Sequence, residues 1–396
     1  MDGSRGPLTI EVIDNLAGIE AADWDSCAGS TNPFVGSTFL KLLEDSKSVG
    51  GKSGWSARHL AARDEAGTLV GAVPMYLKAH SYGEYIFDQG WAQAYERAGG
   101  RYYPKLLVAI PFTPVTGPRL LVRPDAPEGT AEAMAEALEQ IATDGGLSSL
   151  HVNFPTEDEY RRLGARGWLQ RLGVQFHWDN RGYESFEDFL GALSSRKRKA
   201  IRKERREVAE SGVTLHTLTG AALKEEHWDA FYEFYQATSD RKWGWAYLTR
   251  EFFQLLGERM ADQVVLVMAR DGHRWVAGAL NLVGADTLFG RNWGSRGDYK
   301  MLHFEACYYR ALDFAIERRL ARVEAGAQGQ HKIQRGYLPT PTYSAHYITN
   351  PSLRRAIADH LKSERRAVAH EIELLAEESP YRNGDAEDTD AHRADR

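Results

Sequence analysis

Residues Phe289 to Ile348 read FGRNWGSRGDYKMLHFEACYYRALDFAIERRLARVEAGAQGQHKIQRGYLPTPTYSAHYI. Polar groups are set into an apolar pattern here more densely than anywhere else in the chain. Phe289 to Trp293 has the composition of a strand end, Gly294 to Lys300 that of a glycine-containing loop, and Leu302 to Leu320 that of a helix. Arg322 to Ala327 then reads as a strand. In the helix, Phe304, Tyr308, Leu312, Ala315 and Ile316 make one apolar stripe, with Glu305 and Tyr309 in or beside it. Glu305 has two readings. A carboxylate in a first helical turn suits the unpaired N–H groups and the positive end of the macrodipole. Burial against aromatic rings would instead raise its pKa towards the range of a general base. Beyond the helix, Glu324 falls within a strand, and Gln328, His331, Lys332, Arg335 and Tyr337 crowd a glycine-rich exit whose backbone can approach a carbonyl or phosphate closely.

The whole chain of 396 residues is long enough for two domains, and 43% hydrophobic with 11% aromatic residues is the composition of a folded protein. The start, Met1 to Gly18, lacks the pattern of a signal peptide, and no apolar run is long enough to span a membrane, so a cytoplasmic protein without membrane insertion is expected. Cys27 and Cys307 are the two cysteines, far apart, which argues against a disulfide framework and against a cysteine metal site. HExxH, CxxC, GxxxxGK[ST], GxSxG and GxGxxG are all absent, so metalloprotease, P-loop, serine-hydrolase and dinucleotide chemistry lose support, and no metal is expected.

Two halves repeat one order of elements. A strand at Leu8 to Ile13, a helix around Trp24, a second helix at Phe39 to Leu43, and strands at His59 to Arg63 and Leu69 to Leu77 joined by Asp64-Glu65-Ala66-Gly67 form the first copy. In the second, Trp228-Asp229 answers Trp24-Asp25, and Phe252 to Leu256 answers Phe39 to Leu43. Ala269-Arg270-Asp271 with Gly278-Ala279 answers Ala62-Arg63-Asp64 with Gly71-Ala72, all at an offset of about 205 residues. This predicts an α/β (α+β) chain of two related units, each with a mixed, mostly antiparallel sheet flanked by helices. The first unit is expected over 1–178, closing with a helix and turn at Tyr160 to Gly173. The second is expected over 179–378, ending in a helix at Leu353 to Glu377, and residues 379–396 read as a disordered acidic tail.

Between Tyr76 and Gly117, prolines and aromatic residues mix with His80, Glu84, Tyr85, Asp88 and Lys105, a composition that fits either a pocket for a large polar ligand or a surface loop. Between the copies, Ser194-Ser195 can cap a helix over 195–210 in which Arg196, Lys197, Arg198, Lys199, Arg202, Lys203, Arg205 and Arg206 place eight cations within eleven residues. Its apolar anchors are Ile201 and Val208, so the helix is expected to face a polyanion such as cofactor phosphates or an RNA backbone.

His80-Ser81-Tyr82-Gly83-Glu84-Tyr85, Pro111-Phe112-Thr113-Pro114, Gln175-Phe176-His177-Trp178, Ser195-Arg196-Lys197-Arg198-Lys199 and Gly326-Ala327-Gln328-Gly329 together resemble the bacterial FemAB-like family of the GNAT acyltransferase superfamily, from about Asn32 to Glu378. The resemblance implies tandem GNAT-like units and transfer of an acyl group from acyl-CoA, or of an aminoacyl group, to an amine. An aminoacyl-tRNA-dependent transferase acting on a peptidoglycan precursor and a non-catalytic GNAT-fold binding protein are the alternatives. The usual acetyl-CoA loop, [RQ]xxGx[GA], is not evident: Arg161 to Gly167, RRLGARG, fails it at Arg166. Chemistry then assigns Glu305 or Glu324 as base and Tyr309 or Tyr337 as acid. Arg291, Asn292, Gln328, His331 and Lys332, with Arg196, Lys197, Arg198 and Lys199, would hold the donor carbonyl or phosphates, and His80, Glu84, Tyr85 and Lys105 a small-molecule or peptide amine acceptor.

Overall fold

The computed structural model describes residues 7–243, 246–326 and 329–382, and the chain forms two compact units. The first comprises Met1–Gly173, Tyr247–Met260 and Pro341–Ala369; the second comprises Val174–Ala246, Ala261–Thr340 and His370–Arg396. The sequence reading has one cut near residue 178, whereas each unit is built from three segments.

In the first unit, Thr9–Ile13 pairs antiparallel with His59–Arg63, which pairs with Leu69–Val73. Pro74 interrupts the expected strand over Leu69 to Leu77, because it has no N–H to give a ladder. The chain resumes at Met75–Lys78, which pairs with Trp55–Ala57 on one side and Lys105–Val108 on the other. Lys105–Val108 runs parallel to Ser149–Asn153, which pairs antiparallel with residues 344–348. Helix Thr130–Asp144 lays Met134, Leu138 and Ala142 over Leu60, Val73, Leu106 and Val152.

The second unit repeats that order. Val213–Leu218, Val264–Asp271, Arg274–Val283 and Thr287–Ser295 form an antiparallel meander. Thr287 to Phe289 then runs parallel to Arg322–Glu324, which pairs antiparallel with residues 177–179. The helix pair Ala21–Ala28 and Ser37–Asp45 ahead of the first hairpin matches Glu225–Trp243 and Arg250–Arg259 ahead of the second. The tandem GNAT-like architecture is therefore present in element order as well as in sequence spacing.

Two strands escaped the sequence reading. Leu169–Asp179 occupies part of what reads as a closing helix and turn, the helix itself being Glu157–Ala165. Leu338–Ile348 begins Leu-Pro-Thr-Pro, and two prolines argue against a strand on local grounds. Both are long strands that begin in one unit and end in the other. The helix Gln89–Arg97 was likewise hidden in the aromatic segment.

The helix expected over Leu302 to Leu320 runs from Leu302 to Glu317 and contains a π-helical turn at Glu305–Tyr309. Glu305, Ala306, Tyr308 and Tyr309 are buried in this turn. Residues 379–396, read as a disordered tail, are ordered over Ser379 to Arg382. Tyr381 is buried, its hydroxyl donating to the Gly336 carbonyl at 2.8 Å, and the Ser194 N–H donates to the Pro380 carbonyl at 2.9 Å. Residues 383–396 lie outside the described residues.

Helix Glu225–Trp243 sits close against the sheet of its unit because glycines let it. A Cβ added at Gly294 would lie 2.2 Å from the Phe234 carbonyl oxygen, a backbone atom that cannot swing away. Gly294→Ala is expected to lower the unfolding free energy by about 1–3 kcal/mol in urea titration, while Gly18→Ala, which meets nothing within 4 Å, should leave the midpoint within error.

Candidate functional site

Glu324 ends the short strand Arg322–Glu324, in register with Phe289 on one neighbour and His177 on the other. Its Oε1 lies 3.9 Å from the His177 Nδ1, while Oε2 and that Nδ1 make no hydrogen bond among the described residues. The His177 Nε2 contacts the Gln175 Oε1 at 3.3 Å. Burial pushes the Glu324 carboxyl up to about 7, although the Arg322 and Arg291 charges draw it down. Burial lowers His177 to about 3, assisted by Arg322 and Lys332, so its ring is neutral. Arg322 is held by Asp179, with Nε 2.8 Å from Oδ1.

Lys332 is 2% exposed, and its Nζ donates to the Gly326 carbonyl at 2.9 Å. No carboxylate answers it among the described residues, and burial lowers its pKa to about 7. Lys332 acts electrostatically on the His177 ring, which in turn faces Glu324. Sequence reasoning named Glu324 and Lys332 but gave His177 and Gln175 no chemical role. Their one signal was four consecutive residues, Gln175-Phe176-His177-Trp178, all of which are buried.

Glu305 is occupied. Arg205 donates to it through Nη2 at 3.0 Å and Nε at 3.2 Å, Arg310 Nε stands 3.3 Å away, and the same Arg205 reaches Asp313 at 2.6 Å. Burial raises its pKa while Arg205 opposes the shift. The structure therefore gives Glu305 an ion-pair network in place of an open face. Tyr309 donates to Glu204, which also accepts from Arg335 at 2.8 Å. Tyr337 lies in the core of the unit with 0% exposure, and burial moves its hydroxyl far above the usual range. His331 is exposed and contacts the Tyr308 hydroxyl at 2.9 Å. Arg291 and Asn292 lie beside a register shift at Leu280/Asn281, and Gln328 is outside the described residues.

The basic helix is Ser195–Glu210, with Ile201 and Val208 buried as anticipated. Arg205 faces Glu305, Arg202 pairs with Glu187, and Lys203 stands 3.9 Å from Glu207. Arg196 and Lys199 are exposed and Lys197 and Arg198 half-buried, with no ion pair recorded for these four. The connection from strand Thr287–Ser295 into helix Leu302–Glu317 offers phosphate little. The Leu302 N–H donates to the Tyr299 carbonyl and those of Phe304 and Glu305 to the Met301 carbonyl, while Arg296 and Lys300 pair with Glu233 and Glu207. Arg161 to Gly167 covers the end of helix Glu157–Ala165 and the turn after it, so it precedes no helix N-terminus.

A second cluster lies in the first unit. Lys105, fully buried, donates to the Ser81 Oγ at 2.9 Å, to the Glu84 Oε2 at 2.8 Å and to Asp88. Tyr102 donates to Asp88 at 2.7 Å and approaches the His151 Nε2 at 3.3 Å. His151 and His346 face each other Nδ1 to Nδ1 at 2.7 Å, so one ring donates and the other accepts. Lys78 lies 3.7 Å above the Trp55 ring and 3.8 Å from the Glu84 Oε1. Burial brings Glu84 up to about 7 and Lys78 down to about 7. His80 lies to one side against Tyr82, and Tyr85 holds a left-handed backbone with φ of 59°. Of the four residues proposed for an acceptor, Glu84 and Lys105 are thus in direct contact. No group of three His, Cys, Asp or Glu able to hold a metal is found among the described residues.

Two units of one α/β plan, each setting a buried histidine on the strand paired with the one that follows its long helix, make a tandem GNAT-like fold, and the family to which the chain belongs is one of transferases acting on amines. The chain belongs to the FemAB-like family, described as peptidoglycan biosynthesis/recognition, which it matches over residues 15–383. Among solved structures it is similar to FemX at 12% identity and a TM-score of 0.54, covering 86% of this chain and 98% of that one. It is also similar to the C-terminal domain of a putative lysylphosphatidylglycerol synthetase from Agrobacterium fabrum, at 8% identity and a TM-score of 0.52, covering 87% of this chain and 95% of that one. These likenesses are of fold. No curated protein matches. Among the described residues no helix is long and apolar enough to cross a membrane.

Replacing Lys105 by Met would leave Glu84 and Asp88 buried without their shared cation. Loss of one partner from such a cluster costs about 3–5 kcal/mol, so a fall of that order in unfolding free energy is the expected result of denaturant titration.

Proposed function

We propose that the protein is an aminoacyl-tRNA-dependent transferase, using Glu324 as the base that prepares an amine on a peptidoglycan precursor, and that it works in the cytoplasm where such donors are made. The observation that supports this most is Glu324 itself, a buried carboxyl near pKa 7 with an oxygen accepting no hydrogen bond among the described residues. Glu305 by comparison is held by two guanidiniums.

An ammonium acceptor gives one proton to Glu324, directly or through a water, and the freed nitrogen lone pair attacks the carbonyl carbon of the donor ester. As the C–N bond forms, charge collects on the carbonyl oxygen, and the Lys332 ammonium is the cation available to stabilise it. The tetrahedral intermediate then breaks its C–O bond, and the departing ribose oxygen takes up the second proton that the attacking nitrogen sheds, so that a neutral amide and a free hydroxyl result. Neutral His177 at 3.9 Å keeps a second charge away from the carboxylate. The donor's phosphates would lie along Arg196, Lys197, Arg198 and Lys199, at the N-terminal end of the basic helix. Acyl-CoA is the second reading, favoured by the short parallel pairing of Thr287 to Phe289 with Arg322–Glu324, which covers only the first residues of strand Thr287–Ser295.

Glu324 must be ionised and Lys332 charged, and both titrate at about 7, so kcat/KM should pass through a maximum near that pH, with Glu324 setting the rising limb. Glu324→Gln should lower kcat by about 10²–10⁴-fold and abolish that rising limb. Full activity of this variant in a working transfer assay would remove Glu324 as the base. Replacing Arg196, Lys197, Arg198 and Lys199 by Gln should weaken tRNA binding and flatten its log–log salt dependence by up to about 0.9 per lost phosphate contact. An unchanged salt slope, together with turnover of acyl-CoA, would move the assignment to the second reading.

A further inference from the structure

Four residues of the basic helix follow the spacing of one helical face: Ile201, Glu204, Arg205 and Val208. Ile201 and Val208 are buried, and the two charged residues between them are both used inward. Arg205 takes Glu305 and Asp313. Glu204 takes the Arg335 guanidinium, whose Nη2 donates to its Oε1 at 2.8 Å and its Oε2 at 2.9 Å, and it also accepts from the Tyr309 hydroxyl.

Arg335 ends the short turn Gln330–Arg335, which stands between two glycines of left-handed backbone, Gly329 with φ of 119° and Gly336 with φ of 92°. Glycines at both ends give the turn conformational freedom, so its orientation is set by what its side chains hold. Ile333 supplies an apolar anchor at 0% exposure, but apolar burial has no direction. Arg335 supplies the direction. Its Nη1 donates to the His331 carbonyl at 2.8 Å, closing the turn on itself, and its Cζ lies 3.4 Å from the centre of the Phe304 ring. The guanidinium is 6% exposed, and its planar fork on a carboxylate fixes angle as well as distance. Lys332 rides on the same turn. Its ammonium makes one hydrogen bond among the described residues, to the Gly326 carbonyl, and so has little hold of its own.

We propose that Arg335, clamped by Glu204, is a positioning residue that sets the Lys332 ammonium for the transfer reaction. The inference rests on the assignment of Lys332 as the cation for the developing carbonyl oxygen, and deepens it by naming what holds that cation in place. Arg335 itself touches no reacting atom. Glu204 belongs to the helix that carries Arg196 to Lys199, so the element assigned to the donor also fixes the turn that acts on it. Loss of the clamp frees the turn at its glycines, and Lys332 then gains water.

Arg335→Lys keeps the charge and gives up the fork, so a change it causes reports position and not lost charge. The readout is the pH titration of the Lys332 Cε resonance in the full chain carrying isotope-labelled lysine, assigned by its disappearance in Lys332→Arg. In the wild-type chain burial places that midpoint at about 7, with the Cys307 thiol as the other group acting on it. In Arg335→Lys the midpoint should rise by about one unit or more, towards the ordinary lysine value of about 10.4. The turnover number should fall about tenfold or more through misplacement, while the Kd for tRNA stays unchanged. Glu204→Gln checks the sign, because losing a carboxylate on charge grounds alone would lower the Lys332 midpoint, whereas freeing the turn raises it. An unchanged or lowered midpoint in either variant, shown by thermal melts to be folded, would overturn the role. So would a wild-type midpoint already at the ordinary lysine value. If one variant does not fold, the other decides; if neither folds, the pair is a stability element and the positioning role is overturned. A raised midpoint with unaltered kcat would overturn it through Lys332 itself, by removing that residue from the reaction. The titration needs no turnover, so its failure leaves the base role of Glu324 standing, and full activity of Glu324→Gln leaves the titration result standing.

Discussion

The pairing of residues 177–179 with Arg322–Glu324 is the contact on which the second unit's chemistry rests. Three residues of antiparallel ladder bring in the strand that carries Gln175, His177 and Trp178, and without it Glu324 would stand at a sheet edge, hydrated and with an ordinary carboxylate pKa. Desolvation is the largest influence on Glu324, on His177 and on Lys332 alike. A low-dielectric setting is thus created by backbone hydrogen bonds first, and the titrating groups inherit it.

The two units solve the burial of charge in opposite ways. In the first, two lysines, two acids and two histidines are packed among Trp55, Tyr76, Trp91 and Tyr102, with Lys105 held by three partners. In the second, Glu324 feels the Arg322 and Arg291 charges without a direct ion pair to either, and the close pairing lies at the π-helical turn, where Arg205, Glu305, Arg310 and Asp313 lock together. Glu305 in that turn meets Arg205 from the basic helix. A helix in which cations dominate every turn would repel itself as an isolated peptide. Here part of its charge is neutralised inward, and the rest is left on one side.

Much of the fold was legible because it is local. Hairpin turns, helix stripes and the spacing that links Gly71 to Gly278 are properties of short windows, and the duplicated order followed from them. Leu338–Ile348 was not legible, since Pro339 and Pro341 weaken strand character over its first residues and only pairing with residues 149–153 further along makes the segment a strand. The same holds for the site. Glu324 and Lys332 could be named from residue type and a glycine-rich neighbourhood, and Glu305 from its place on an apolar stripe. That Glu305 is occupied and Glu324 open depends on Arg205, about a hundred positions away, and on His177, which only register places opposite the acid.

Leu169–Asp179 and Leu338–Ile348 have a meaning beyond the sites they furnish. Each starts in the unit made by its own half of the chain and finishes as a strand of the other. This is the pattern of a domain-swapped dimer written into one polypeptide, with the hinge segments as the exchanged parts. Neither half, made alone, would own the strand that closes its sheet beside Glu324 or His151; each would present a bare edge open to the same strand from any other copy. Fusion of the halves makes that exchange intramolecular, so the closing strand is always at hand at high effective concentration. The covalent link therefore gives each sheet a strand that the other half of the chain begins.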